Sequence, residues 1–170
     1  MTTGPAIPIA ESMMNRNVHC VTPEMSLAEV VQVFLKHDVS CAPVVDRDGV
    51  EFRRLLGFTS EGDCLEYLSD EMFYGGSSQP QTAATIMKKH PICVAPEADV
   101  FELTSIFVSH EKRHVPVVDG EHNLLGLISR REILRSLETF YRESNQEYLL
   151  EHFPSDLQKI SNLRFVAGSR

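Results

Sequence analysis

Cys20-Val-Thr-Pro-Glu24 and Cys93-Val-Ala-Pro-Glu97 are nearly the same phrase written twice, at an offset of 73 residues (93 − 20). Held at that offset, Met14 falls on Met87, Glu29 on Glu102, Phe34 on Phe107 and His37 on His110. Pro43-Val-Val-Asp46 falls on Pro116-Val-Val-Asp119. A longer loop in the first copy, Arg47 to Leu56, then shortens the offset to 69 (126 − 57). Gly57-Phe-Thr-Ser60 now lies on Gly126-Leu-Ile-Ser129, with Asp63 opposite Glu132. Chance does not keep a register this long, so the chain is a tandem duplication.

Each copy reads alike. A short amphipathic helix (Ala10 to Met14; Thr82 to Lys89) precedes a brief strand (Val18 to Val21; Ile92 to Val94) that stops at a proline, which cannot donate to a ladder. A longer helix follows. Ser26-Leu-Ala-Glu29 is a capping box, and Asp99-Val-Phe-Glu102 is expected to act in the same way. Leu27, Val30, Val31 and Phe34 recur at helical spacing, as do Val100, Leu103 and Phe107. Two strands come next, Pro43 to Val45 with Leu55 to Thr59, and Val115 to Val118 with Leu124 to Ile128. Asp46-Arg-Asp-Gly49 and Asp119-Gly-Glu-His122 suit hairpin turns. A last helix closes each copy (Asp63 to Met72; Arg131 to about Tyr148). The expected fold is mixed α/β, two β-α-β-β-α repeats about an internal pseudo-two-fold axis. Residues 1–73 hold repeat one, 74–81 a polar linker, 82–140 repeat two, and 141–170 a helix end and tail that is either loosely docked or a contact for a second subunit.

Composition narrows the function. The 170 residues carry 16 Lys and Arg against 24 Asp and Glu, a net charge of −8, which disfavours nucleic-acid binding. No apolar run approaches the ~18–20 residues of a membrane helix, and Met1 to Met14 lacks the basic start and apolar core of a signal peptide. A cytoplasmic location follows as the expectation. Cys20, Cys41, Cys64 and Cys93 stand singly, which suits buried thiols better than disulfides or zinc. His37 and His110 match across the repeat and sit at helix C-termini, where a cation suits the dipole, so no metal site is expected.

The β-α-β-β-α unit of about 60 residues, with Pro-Val-Val-Asp at a fixed distance before Gly-x-x-Ser-x-x-Asp or Glu, resembles the cystathionine-β-synthase (CBS) domain. Two in tandem form a Bateman module, and the resemblance covers roughly Ile9 to Leu137. It implies clefts for AMP, ADP, ATP or S-adenosylmethionine as a regulatory ligand, with no obligatory cofactor. It also implies a flat homodimer that senses ligand and does not catalyse. Whatever it regulates is expected to be a separate effector protein. No Gly-x-Ser-x-Gly, P-loop or His-Glu-x-x-His motif argues for an enzyme.

An adenosine nucleotide needs an apolar slot, a carboxylate for the ribose hydroxyls, and hydroxyls or cations for phosphate. Ser60 at a strand end and Asp63 in the next helix's first turn supply such groups beside a helix N-terminus. The resemblance implies that each cleft joins the ribose carboxylate of one repeat to segments of the other. Cleft one is then Thr59, Ser60 and Asp63 with Ile92, Arg113, His114 and Val115. Cleft two is Ser129 and Glu132 with His19, Cys20, Val39, Ser40, Cys41 and Ala42, and Arg130 and Arg131 either supply its cations or face solvent. On this partition Arg113 and His114 make cleft one the tighter phosphate site. A blander reading stays open: Asp63 as an ordinary helix-start acid, Arg113 and His114 as an exposed pair, and the whole as a ligand-free dimerisation scaffold.

Overall fold

A computed structural model describes residues 6–46, 54–75 and 80–144, the side chains of 70–74 excepted. The turn at 47–49, the centre of the linker at 76–79 and the tail from 145 onward, on which expectations fall, lie outside the described residues. Repeat one contains α1 (Ala10–Met13), α2 (Leu27–His37), β1 (Cys41–Val45), β2 (Leu55–Ser60) and α3 (Glu61–Tyr74). Repeat two contains α4 (Ala83–Ile86), β3 (Lys88–Lys89), α5 (Val100–Ser109), β4 (His114–Val118), β5 (Leu124–Ser129) and α6 (Arg130–Glu143).

The capping box of α2 forms as expected, with the Glu29 N–H donating to the Ser26 hydroxyl and the Ser26 N–H donating to the Glu29 carboxylate. Asp99 caps α5 differently from the expected box, one carboxylate oxygen accepting from the N–H groups of both Phe101 and Glu102. Asp38 and Glu111, equivalent under the 73-residue offset, both take left-handed backbone just past their helices, at φ 52°. The pre-proline segments at 18–21 and 92–94 fall short of strands. Each contributes one parallel bridge, Val21 to Val44 and Val94 to Val117.

The two hairpins share one register. Cys41 pairs with Ser60 and Val44 with Gly57 in β1–β2; His114 pairs with Ser129 and Val117 with Gly126 in β4–β5. They also meet across the repeats, the Leu55 N–H donating to the His122 carbonyl at 3.0 Å. Val45, Leu55 and Val118 form the apolar seam there, with Cys20 and Cys93 packed against it.

The short helices exchange repeats. Ala10, Met13 and Met14 are buried with Val100, Leu103 and Ile128 in the core of repeat two, whereas Ala83 and Ile86 are buried with Val30, Phe34 and Val44 in the core of repeat one. The expected helix from Thr82 to Lys89 therefore stops at Ile86. Lys88 and Lys89 leave it to pair with Phe58 and Gly57 at the open edge of β2, because an unpaired strand edge offers backbone partners. Asn15 bridges Leu127 in the same way. A Cβ on Gly57 would stand 2.4 Å from Met87 Sδ, and one on Gly126 would stand 2.7 Å from Met14 Sδ. Each glycine is the gap that admits the exchanged methionine.

Candidate functional site

Strand register decides which residues face one another. Directly opposed residues of an antiparallel pair share a face. In repeat one Cys41 is therefore beside Ser60, and the Glu61 N–H donates to the Ser40 carbonyl at 3.0 Å. In repeat two His114 is beside Ser129, and the Arg130 N–H donates to the Arg113 carbonyl at 3.2 Å. The expected partition is thus corrected. Arg113 and His114 are joined to Ser129 and Glu132, while Ser40 and Cys41 are joined to Ser60 and Asp63. A hairpin folds the residues before its first strand onto the end of its second, which brings each of these pairs together within one repeat.

The two ends share a frame and differ in charge. Ser60 and Ser129 are the N-caps of α3 and α6, and Asp63 and Glu132 complete the capping boxes. Asp63 Oδ2 accepts from the Ser60 N–H at 2.8 Å and from its hydroxyl at 2.6 Å. Glu132 Oε2 accepts from the Ser129 N–H at 2.9 Å and from the Ser129 hydroxyl. Asp63 is buried, and its Oδ1 meets Lys88 Nζ at 2.9 Å. Lys88 was not singled out by sequence reasoning. Its repeat mate is the neutral Asn15, and its place beside α3 depends on the exchange of segments.

Burial pushes the Glu132 carboxyl up, but the Ser129 hydroxyl and N–H and the Arg135 charge outweigh it and leave it below the usual range. His114 is half-buried, which lowers its pKa; Glu132 opposes that shift, and Arg113 and Arg130 reinforce it. The Arg130 Nε donates to the Lys112 carbonyl at 2.6 Å, so its guanidinium is tied down. Arg113, Arg130 and Glu132 thus all act on His114, where the equivalent repeat-one positions carry Ser40, Cys41, Glu61 and Asp63.

The remaining expected residues are dispersed. Thr59 is fully buried, its Oγ1 without a hydrogen-bond partner of standard geometry, beside the Cys64 thiol. Burial pushes Cys41 up to about 12, so its thiol stays protonated at neutral pH. His19 stacks on His37 with ring centroids 3.9 Å apart, which places it with α2 of repeat one. Val39 packs against the repeat-one core, Val115 is buried in the repeat-two core, and Ile92 is half-buried.

Paired hairpins, each running into a capped helix with a first-turn carboxylate, define a two-repeat mixed α/β module. The CBS domain family matches residues 10–70 and 83–139, and the chain belongs to that family. Among curated relatives, the inosine-5'-monophosphate dehydrogenase of Korarchaeum cryptofilum is 29% identical over 140 residues, which is 82% of this chain and 25% of that enzyme. The corresponding protein of Aquifex aeolicus is 29% identical over 127 residues, 74% of this chain and 24% of the enzyme. The chain spans about a quarter of the length of these relatives. Among solved structures, CBSX2 of Arabidopsis thaliana in complex with AMP superposes with a TM-score of 0.68 at 22% identity, covering 79% of this chain and 98% of that one. The CBS domain pair of MJ0100 in complex with 5′-methylthioadenosine and S-adenosyl-L-methionine gives 0.63 at 20% identity, covering 79% and 98%. At these identities the likeness is one of fold. Among the described residues, no helix is long and apolar enough to cross a membrane, and no three metal-binding side chains converge.

Proposed function

We propose that the chain is a regulatory module that binds an adenosine ligand and reports its occupancy to a partner protein, without catalysis. The observation that carries this reading is the meeting of Arg113, His114 and Arg130 with Ser129, Glu132 and the start of α6. Arginine grips phosphate oxygens, the helix N-terminus favours an anion, and a carboxylate accepts from ribose hydroxyls. CBSX2 with AMP and MJ0100 with S-adenosyl-L-methionine support an adenosine ligand for the fold. The proposed contacts at repeat two are Arg113, His114, Ser129 and Glu132; those at repeat one are Ser40, Cys41, Ser60 and Asp63. Thr59, Val115, Ile92, His19 and Val39 then form or brace the apolar walls. A thermal-shift series with AMP, ADP, ATP, S-adenosylmethionine and adenosine tests the reading. Stability must rise by RT ln(1 + [L]/Kd) for a ligand that binds the folded state, and a flat response to all five would overturn it.

One observation favours the scaffold reading instead: both first-turn carboxylates already serve their own helix starts. On that reading none of the five ligands raises the melting temperature.

His114 gives the site a pH dependence. Its lowered value keeps it neutral at neutral pH, while a bound phosphate favours the imidazolium. AMP affinity is therefore expected to rise as pH falls toward the depressed value of His114 in the free protein, with proton uptake that calorimetry in two buffers detects. His114→Gln should abolish that uptake. In the unliganded protein the sign is opposite: the stability held by neutral His114 is complete above about pH 6.5 and is lost as pH falls through the depressed folded value.

The chain should also self-associate. Leu35 and Val108 are 77% and 74% exposed, and Leu65 and Leu134 are 64% and 60% exposed; each pair is equivalent under the repeat. Large apolar side chains repeated on related helix faces suit a symmetric partner, here a second copy. Light scattering at tens of micromolar should give twice 19.2 kDa, and Leu65→Glu with Leu134→Glu should give the monomer mass. None of the four cysteines is in a disulfide, which suits a reducing compartment.

A further inference from the structure

Lys88 reaches the repeat-one site from outside the sequence segment that builds it. The pairing of β3 with β2 sets Lys88 opposite Phe58, and Phe58 and Ser60 share a face because side chains alternate along a strand. The lysine stem therefore runs over the face that carries Ser60. Its ammonium ends 2.9 Å from Asp63 Oδ1, with Asp63 side chain 7% exposed and Lys88 side chain 70% exposed. Glu66, one turn further along α3, adds its field at the same ammonium. Among the described residues, Glu132 pairs with Arg135 at 3.9 Å, and Asn15 holds the place equivalent to Lys88.

The two oxygens of Asp63 are unequally engaged. Oδ2 is occupied by the capping box, which α3 needs. Oδ1 is therefore the atom left for a ribose hydroxyl, and Lys88 is sitting on it. A nucleoside that uses Asp63 must displace the ammonium, and a mostly exposed lysine on a flexible stem is free to go. Glu61, Asp63 and Glu66 make this end acidic, so a released ammonium would be its nearby positive charge for a ligand's anionic tail.

We infer that Lys88 is the specificity-determining residue of the repeat-one site, opposing neutral nucleosides at Asp63 and selecting adenosine ligands that carry an anionic tail. The inference rests on the nucleotide reading above and assigns that site a ligand class. On binding, the ribose hydroxyls take Asp63 Oδ1 and the ammonium moves to the phosphate.

The test is a site-resolved titration by amide NMR, with Gly62 in the first turn of α3 reporting this end and Gly126 reporting the other. Wild type, Lys88→Met and Lys88→Arg are each titrated with adenosine and with AMP. The preference for AMP over adenosine at Gly62 should fall at least about 10-fold in Lys88→Met, through weaker AMP binding and unchanged or tighter adenosine binding. Lys88→Arg, which keeps the charge, should hold the preference within about 3-fold. Equal changes for both ligands in Lys88→Met, or none, would overturn the role of Lys88. A wild-type Gly62 resonance moved by neither ligand would overturn the nucleotide reading at this end, and the Lys88 role with it.

Discussion

Gly126→Ala is expected to destabilise the protein by about 3 kcal/mol, lowering the melting temperature by roughly 6–12 °C. The added Cβ would stand 2.7 Å from Met14 Sδ and 2.9 Å from the Asn15 carbonyl oxygen. A methionine can bend away, because its side chain is unbranched and adaptable. The carbonyl cannot, because it accepts from the Leu127 N–H at 3.0 Å while the Asn15 N–H donates to the Leu127 carbonyl at 2.9 Å. Relief would require lifting the segment that carries Met13 and Met14 out of the repeat-two core. Neither Gly57 nor Gly126 has left-handed backbone, so the effect would come from space and not from φ. Gly57→Ala supplies the contrast. Its closest clash is with the Met87 side chain, with Lys88 carbonyl oxygen at 3.1 Å. Met87→Ala should therefore rescue Gly57→Ala in a double-mutant cycle, with coupling of about 1 kcal/mol or more, whereas Met14→Ala should rescue Gly126→Ala less. Denaturant melts that place Gly126→Ala within about 0.5 kcal/mol of wild type would sink the interlocked arrangement.

The parts of this fold that were legible are those written in local pattern. Pro-Val-Val-Asp followed by Gly-x-x-Ser placed both hairpins to within two residues at their ends, and Ser26 with Glu29 placed the start of α2. The exchange of α1 and α4 was not legible, because an apolar periodicity marks which face is buried and not what buries it. A signal was nonetheless present. Met14 and Met87 match across the repeat, as do Gly57 and Gly126, and a side chain and a gap that recur together suggest that one fills the other. The helix expected through Lys89 ended early for the same reason, since the edge of β2 recruits Lys88 and Lys89 once the exchange brings them there. The partition of the polar residues fails differently. Antiparallel pairing alone puts His114 beside Ser129, and a resemblance that shared them across repeats overrode what the hairpin already implied. Lys88 was invisible for want of the exchange that places it.

Arg113→Ala should weaken the tightest AMP-binding event by about 10- to 100-fold, while Asp63→Ala should leave that event within about 3-fold. Charge-assisted hydrogen bonds contribute about 1.5–3 kcal/mol each, and every 1.4 kcal/mol is tenfold in affinity. Repeat two offers Arg113, His114 and Arg130 to a phosphate; the repeat-one end offers Lys88, already held by Asp63 and in the field of Glu66. Adenosine, which has no phosphate, should lose little on Arg113→Ala. The AMP effect should shrink at high salt, because Arg113 is exposed and its attraction is screened within about 8–10 Å at ordinary ionic strength. If Asp63→Ala abolished the tightest event while Arg113→Ala spared it, the assignment by strand register would be wrong. The common backbone frame allows the converse experiment. Ser40 and Glu61 are tied by the same backbone bond as Arg113 and Arg130, at 3.0 Å and 3.2 Å, and all four are exposed. Ser40→Arg with Glu61→Arg therefore transplants two cations onto the repeat-one end without disturbing a core. Calorimetry should then show a second AMP event strengthened by at least about 10-fold, because an anion replaces two charges' worth of water-exposed repulsion with a paired contact. No gain would mean that phosphate does not lie beside the residue that precedes each proline strand.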